Sequence, residues 1–195
     1  MKEFTRDNQL LSLCGLNCGL CSLHLGGHCP GCGGGPGNQA CAIARCSLSH
    51  GHVMYCTQCA DYPCARYAQP DAYDVLISTQ HRRRDLEKAA AQGIAAYNAE
   101  QREKIGMLHT LLEQYNDGRR KTLYSAAVNL LELSDLRAVL HTLAQADADT
   151  ARPLRERAAH AAALLQAAAD ARGVTLKLRK KPRTPPAAPS RAPRP

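Results

Sequence analysis

All ten cysteines of this 195-residue chain lie between Cys14 and Cys64, and that crowding decides what the first third of the chain can fold into. Three pairs have Cys-x-x-Cys spacing: Cys18/Cys21, Cys29/Cys32 and Cys56/Cys59. The other thiols are Cys14, Cys41, Cys46 and Cys64. Two thiolates separated by two residues reach one ion because a tight turn aims both sulfurs inward, and nearby glycines leave backbone N–H groups free to bond those sulfurs. Two four-coordinate sites take about eight ligands, so the count permits two ions or clusters and leaves thiols over.

Disulfides would need an oxidising compartment. The opening MKEFTRDNQLLSLCGL carries Lys2, Glu3, Arg6 and Asp7 and has no apolar run suited to a signal peptide. No stretch approaches the roughly eighteen consecutive apolar residues of a membrane span. The expectation is a cytoplasmic protein with reduced thiols. A thioredoxin-type dithiol needs a strand-helix-strand setting that this loop-rich segment lacks.

Residues 1–64 hold ten of the fourteen glycines and few large apolar side chains. A segment under about 70 residues with so little core needs a staple, and metal ligation is the one at hand, so metal binding and folding are coupled here. Beyond it the pattern turns helical. Val75, Leu76, Leu86 and Ala89 lead to a bend at Gly93. Asn98 and Gln101 then suggest a capping box before Ile105, Leu108, Leu111, Leu112 and Tyr115. Asn116-Asp117-Gly118 reads as a turn. Further helices follow on Leu123 to Leu131, from Ser134-Asp135, and from about Arg152 to Arg172, the last stopped by Gly173. Val174, Leu176 and Leu178 alternate as a short strand would.

The fold class is therefore mostly α: a metal-stapled, loop-rich cysteine module at 1–67, a small helical bundle at 68–173, and a disordered Pro/Arg-rich basic tail at 174–195. The net charge of +8 belongs to that tail, which has seven basic residues, no acidic one and six of the eleven prolines; without it the balance is 18 basic to 17 acidic. The tail is expected to be dispensable for folding and metal binding. Nucleic acid is expected to bind only weakly and through it, because no aromatic residue is interleaved with its charges.

The series Cys14-Gly-Leu-Asn-Cys18-Gly-Leu-Cys21, Cys29-Pro-Gly-Cys32, Cys41-Ala-Ile-Ala-Arg-Cys46 and Cys56-Thr-Gln-Cys59-Ala-Asp-Tyr-Pro-Cys64 resembles an uncharacterised cysteine-rich family of bacterial and archaeal proteins, domain of unknown function 3795. The resemblance covers about residues 12–67, extends to the segment from Tyr115 to Lys121, and does not include the end after Thr150. It implies a metal-binding protein, with zinc the supposed metal, and supplies no reaction or partner.

Tetra-thiolate zinc and a [4Fe-4S] cluster use the same ligand type. The paired knuckles favour zinc, one to two ions per chain. Cys14-x3-Cys18-x2-Cys21 places three thiols close enough to share a cluster, which keeps an iron-sulfur redox or accessory protein as the alternative. On chelate-loop length the first site is Cys18, Cys21, Cys29 and Cys32, and the second Cys41, Cys46, Cys56 and Cys59, with Cys14 or Cys64 able to displace a member. His24, His28, His50 and His52 stand close enough in sequence to replace a thiol, and Asp61 to orient one. The cations of Asn116-Asp117-Gly118-Arg119-Arg120-Lys121 oppose a helix dipole unless an anion offsets them; the plainer reading is a turn with solvated arginines. His81-Arg82-Arg83-Arg84 reads as a solvated face answered by Asp85 and Glu87. Paired carboxylates, a phosphate loop and a Ser-His-Asp set cannot be named, so the chain reads as an interaction module with a protein partner rather than as an enzyme.

Overall fold

The computed structural model describes residues 3–36, 41–68, 73–148 and 152–181. It is mostly helical, with eight α-helices and no strand among the described residues. Three short helices belong to the cysteine-rich part: α1 (Ser22–Leu25), α2 (Ala42–Ser49) and α3 (Ala65–Ala68). Five longer ones follow: α4 (Arg82–Gln92), α5 (Ile94–Gln114), α6 (Lys121–Leu130), α7 (Leu133–Ala148) and α8 (Leu154–Ala171).

Apolar spacing builds the bundle. Leu108 and Leu111 of α5 and Tyr115 just after it meet Tyr124 and Ala127 from α6, Leu131 just after it, Leu136 and Leu143 from α7, and Leu165 and Ala169 from α8. The long α5 touches α4, α6 and α7, and α8 closes over α6 and α7. Two of the stops are glycines with left-handed backbone: Gly93 (φ 88°) separates α4 from α5, and Gly173 (φ 64°) follows α8.

Four expectations change on contact with the tertiary structure. Asn98 and Gln101 are not a capping box, because α5 already begins at Ile94. Asn98 Oδ1 instead accepts from Asn8 Nδ2 at 3.2 Å, and Gln101 is buried. Residues 73–81 are non-helical, with Ile77 buried and Val75 and Leu76 exposed. Val174 to Leu178 do not form a strand. Residues 174–181, placed in the tail on composition, pack back on the bundle. Leu176 is buried, Arg179 donates its backbone N–H to Asp74 at 2.8 Å, and its guanidinium meets the same carboxylate at 2.8 Å. Residues 182–195 lie outside the described residues.

The cysteine-rich part has one small cluster of its own, Phe4, Leu13 and Ala44. Its other apolar side chains lean on helices: Leu11, Tyr55 and Tyr67 pack with Leu86, Ala89 and Tyr97, while Leu20 and Cys21 enter the main core. A buried polar knot joins the two parts. Asn17 Nδ2 donates to Asp85 at 2.8 Å and to Asn129 Oδ1 at 3.0 Å, and Tyr97 donates to Asn17 Oδ1 at 2.8 Å. Beside it the buried Lys104 donates to the Leu131 carbonyl at 2.8 Å, where a cation suits the C-terminal end of α6. Burial pushes Asp85 upward against the attraction of Arg84, and pushes Lys104 downward against Asp85 and Glu100.

Candidate metal centre

The loop holding Cys14 is shaped by Ser12. Its hydroxyl accepts from the Leu16 N–H at 2.7 Å and lies 3.4 Å from Cys14 Sγ, while its N–H donates to the Leu16 carbonyl at 2.8 Å. Gly15 follows with φ 91°, and a Cβ there would sit 2.1 Å from the Arg82 carbonyl oxygen, so only glycine lets this loop reach the start of α4. The chain then makes a 3-10 turn over Cys18–Leu20, with the Cys21 N–H donating to the Cys18 carbonyl at 3.0 Å. That turn is the knuckle expected of a Cys-x-x-Cys pair. Gly31 and Gly33, both with positive φ, curve the chain around Cys32.

These turns assemble a thiol group. The Cys18 thiol is pushed up to about 12, by burial first and then by the thiols of Cys32, Cys14 and Cys21. The Cys32 N–H bonds the Cys18 sulfur and the Leu13 N–H bonds the Cys32 sulfur, each favouring thiolate. The Cys32 thiol is raised by burial, while the Arg6 guanidinium pulls it down. Arg6 is itself buried, donating to the Leu11 and Met54 carbonyls at 3.0 Å each and stacking 4.8 Å from the Tyr55 ring centroid.

A second group lies alongside. Cys46 projects from α2, Cys56 opens a 3-10 turn over Cys56–Gln58, and Cys59 and Cys64 follow. The Cys56 thiol is pushed up to about 12 by burial, then by Cys14, Cys64 and Cys46, with Arg82 opposing. A cavity of about 30 Å³ runs among Leu13, Cys46, Cys56, Cys59, Cys64 and Tyr67, room for a water molecule or an ion. The Cys56 N–H donates to the Leu13 carbonyl at 3.0 Å, and the Tyr67 hydroxyl to the Cys14 carbonyl at 2.9 Å, so the two groups share a backbone frame. All ten cysteines are free thiols.

The thiols acting most strongly on Cys18 are Cys14, Cys21 and Cys32, where chelate-loop length had selected Cys29 in place of Cys14. Around Cys56 they are Cys14, Cys46 and Cys64, so Cys14 faces both groups. Cys29 is half-buried on a loop whose carbonyl accepts from His24 Nδ1 at 2.9 Å, and Cys41 is exposed at the start of α2. Among the candidate histidines, His24 thus holds a loop, His28 is exposed, and His52 lies 5.8 Å from the Phe4 ring. His50, Cys59 and Asp61 form a group whose ligand atoms all lie within 4.8 Å of one another.

The basic segments resolve as local structure. Asn116 Oδ1 accepts from the Gly118 N–H at 3.1 Å, and Asp117 pairs with Arg120 at 3.4 Å, so an internal acid offsets the helix-start cations. In the other run, Arg83 pairs with Glu87 at 2.9 Å, Arg84 with Glu132 at 3.2 Å, and Arg82 stacks 4.8 Å from the Tyr67 centroid. Sequence reasoning missed Arg6, Ser12, Asn17 and Tyr67. Asn17, buried between two cysteines in a short motif, carried the one legible signal. No helix of the described residues is long and apolar enough to cross a membrane. Against known proteins, the chain matches no protein-family model, no curated protein and no solved structure.

Proposed function

We propose that this protein binds zinc through cysteine thiolates and uses the metal to hold its loop-rich half against the helical bundle, presenting that half to a protein partner. The observation that carries the reading is the thiol group around Cys18. The thiols of Cys32, Cys14 and Cys21 act on the buried Cys18 thiol, backbone N–H groups bond the Cys18 and Cys32 sulfurs, and burial, joined at both by repulsion from neighbouring thiols, raises the affinity of those two for protons. A soft divalent cation relieves that repulsion by replacing those protons, and four thiolates match the donor set of a closed zinc site. Such a site leaves no coordination position open for catalysis, which suits a structural role. The second thiol group supplies ligands for a further ion.

One observation favours a second reading. The group around Cys18 contains the whole Cys14-x3-Cys18-x2-Cys21 run plus one distant thiol, a pattern that also serves a [4Fe-4S] cluster of a redox or accessory protein. Metal content of single variants tests the ligand assignment. Cys14→Ser, Cys18→Ser, Cys21→Ser and Cys32→Ser should each lose about one metal equivalent, whereas Cys41→Ser should keep the full complement. Full occupancy in the Cys18→Ser protein would refute the assignment.

A further inference from the structure

We infer that His50, Cys59 and Asp61 form a second metal site of a different kind: an open, mixed-donor zinc site on the outer rim of the Cys46/Cys56/Cys59/Cys64 group. The inference rests on the metal-binding reading above and goes beyond it in naming the ligands and the character of the site. Three donors of different chemistry, an imidazole nitrogen, a thiolate sulfur and a carboxylate oxygen, converge with their ligand atoms within 4.8 Å of one another. Each is an established zinc ligand type.

A second, independent observation concerns the imidazole. His50 Nδ1 lies 2.7 Å from the carbonyl oxygen of Cys46, one turn back on α2. A carbonyl can only accept, so Nδ1 carries the hydrogen, and in the neutral ring Nε2 keeps its lone pair. Nε2 faces Asp61 Oδ2 at 3.4 Å. Zinc-bound histidines are oriented in this way, with the far ring nitrogen donating to a carbonyl or carboxylate and the near one turned to the ion. The local chain brings the other two donors in. The 3-10 turn over Cys56–Gln58 delivers Cys59, whose N–H donates to the Cys56 carbonyl at 3.1 Å, and Asp61 follows two residues later.

The placement sets the chemistry. The side chains of His50 and Asp61 are 40% and 67% exposed, against the largely buried thiols around Cys18. Three protein ligands at the surface leave the fourth zinc position to water or to an incoming donor, the arrangement of exchangeable and catalytic zinc rather than of structural zinc. A groove bordered by Ala42, Cys64 and Arg66 opens onto the same residues, so a small thiol or carboxylate could reach the ion. The Cys18 site is closed and the His50 site is open.

The test is zinc content and zinc release of the full chain, comparing wild type with His50→Ala, Asp61→Asn, Cys64→Ser and Cys18→Ser. Both substituted rim side chains are exposed, so these variants should fold, which far-UV circular dichroism checks. Wild type should hold about two zinc ions, one released rapidly to a small chelator and one slowly. His50→Ala and Asp61→Asn should each hold about one ion and lack the rapid phase, and Cys18→Ser should lack the slow one. If His50→Ala and Asp61→Asn keep the wild-type content and both phases, the three residues are a surface ion pair beside a thiol and the site does not exist. If Cys64→Ser removes the second ion while the rim variants keep it, that ion sits among four thiolates inside and the mixed-donor assignment is overturned. Wild type devoid of zinc would overturn the metal reading as well, an outcome distinct from both.

Discussion

The two parts of this molecule reach order by different routes. In the helical part, side chains such as Leu108, Leu111, Tyr124, Leu136, Leu143 and Leu165 are withdrawn from water into one core, and five helices can be drawn around it. In the cysteine-rich part the self-contained apolar cluster is Phe4, Leu13 and Ala44, and the three helices are short. Turns, glycines with positive φ, a buried arginine and thiols do there what leucines do in the bundle. At about 25 cal/mol for each Å² of apolar surface buried, a cluster of three side chains falls far short of the cost of ordering some sixty residues, and a bound ion would add on the order of 10 kcal/mol to what that packing supplies. The comparison teaches that packing accounts for order at one end of the chain, while at the other the proposed ligation would have to supply what packing does not.

Removing the metal should break the two parts apart most strongly. Structural zinc is worth on the order of 10 kcal/mol in small thiolate modules, more than the stability of a typical domain of this size. Chelation should unfold residues 3–67 and leave most helical circular dichroism in place, since α4 to α8 carry most of the helix. Amide exchange would show loss of protection in the first part and its survival in α5 and α6. Near-total loss of helix would mean that Leu20, Cys21 and the Asn17 knot tie the parts into one cooperative unit.

A smaller effect comes from the C-terminal end. Ending the chain at Gly173 removes the buried Leu176 and leaves Asp74, whose side chain is fully buried, without Arg179. The expected cost is about 3 kcal/mol or more in denaturant unfolding, against less than about 0.5 kcal/mol for a chain ending at Lys181. The Asp74 interaction has a pH signature. Burial works to raise its carboxyl, but hydrogen bonds from Arg179 and Thr79 override that and hold it below the ordinary range. A depressed folded-state value gives stability that is complete above about pH 4 and is lost as pH falls toward the folded value. The chain ending at Gly173 should show a weaker loss over that window than the chain ending at Lys181. Equal stability of the two chains would return residues 174–181 to the dispensable tail.

Smaller again is the knot between the parts. Asn17→Ala deprives Asp85, Asn129 and Tyr97 of a shared partner and should cost about 2 kcal/mol while leaving metal content unchanged. A double-mutant cycle with Asn129→Ala measures the coupling; a coupling near zero would mean that the interface rests on Leu11, Tyr55 and Leu86 alone.

Much of this was legible in the sequence, and unevenly. Helices could be read because Leu108, Leu111 and Tyr115, or Ala158, Ala161 and Leu165, repeat at the helical period whatever surrounds them. Glycine stops at Gly93 and Gly173 are local signals too. Asn98 misled because its partner, Asn8, lies 90 residues away. Leu176 and Arg179 were hidden inside a basic composition, and Arg179 is held by Asp74, a partner 105 residues away that no local pattern announces. In the cysteine-rich part the sequence does not say which thiols the fold sets beside one another. Short chelate loops favoured Cys29, whereas the Ser12 turn and the Gly15 contact with α4 turn Cys14 toward Cys18. Arg6 was visible only as a charge, since a buried arginine is specified by the carbonyls it meets.

The most direct test of ligation in place of packing is metal analysis, with a visible spectrum, of the full chain purified without oxygen. The account predicts a colourless protein with one to two zinc ions per chain, of which the ion held at Cys18 resists dialysis in the wild type and is missing in Cys18→Ser. A folded, metal-free protein would contradict the central claim outright, and a brown protein with iron and acid-labile sulfide would replace zinc by the cluster.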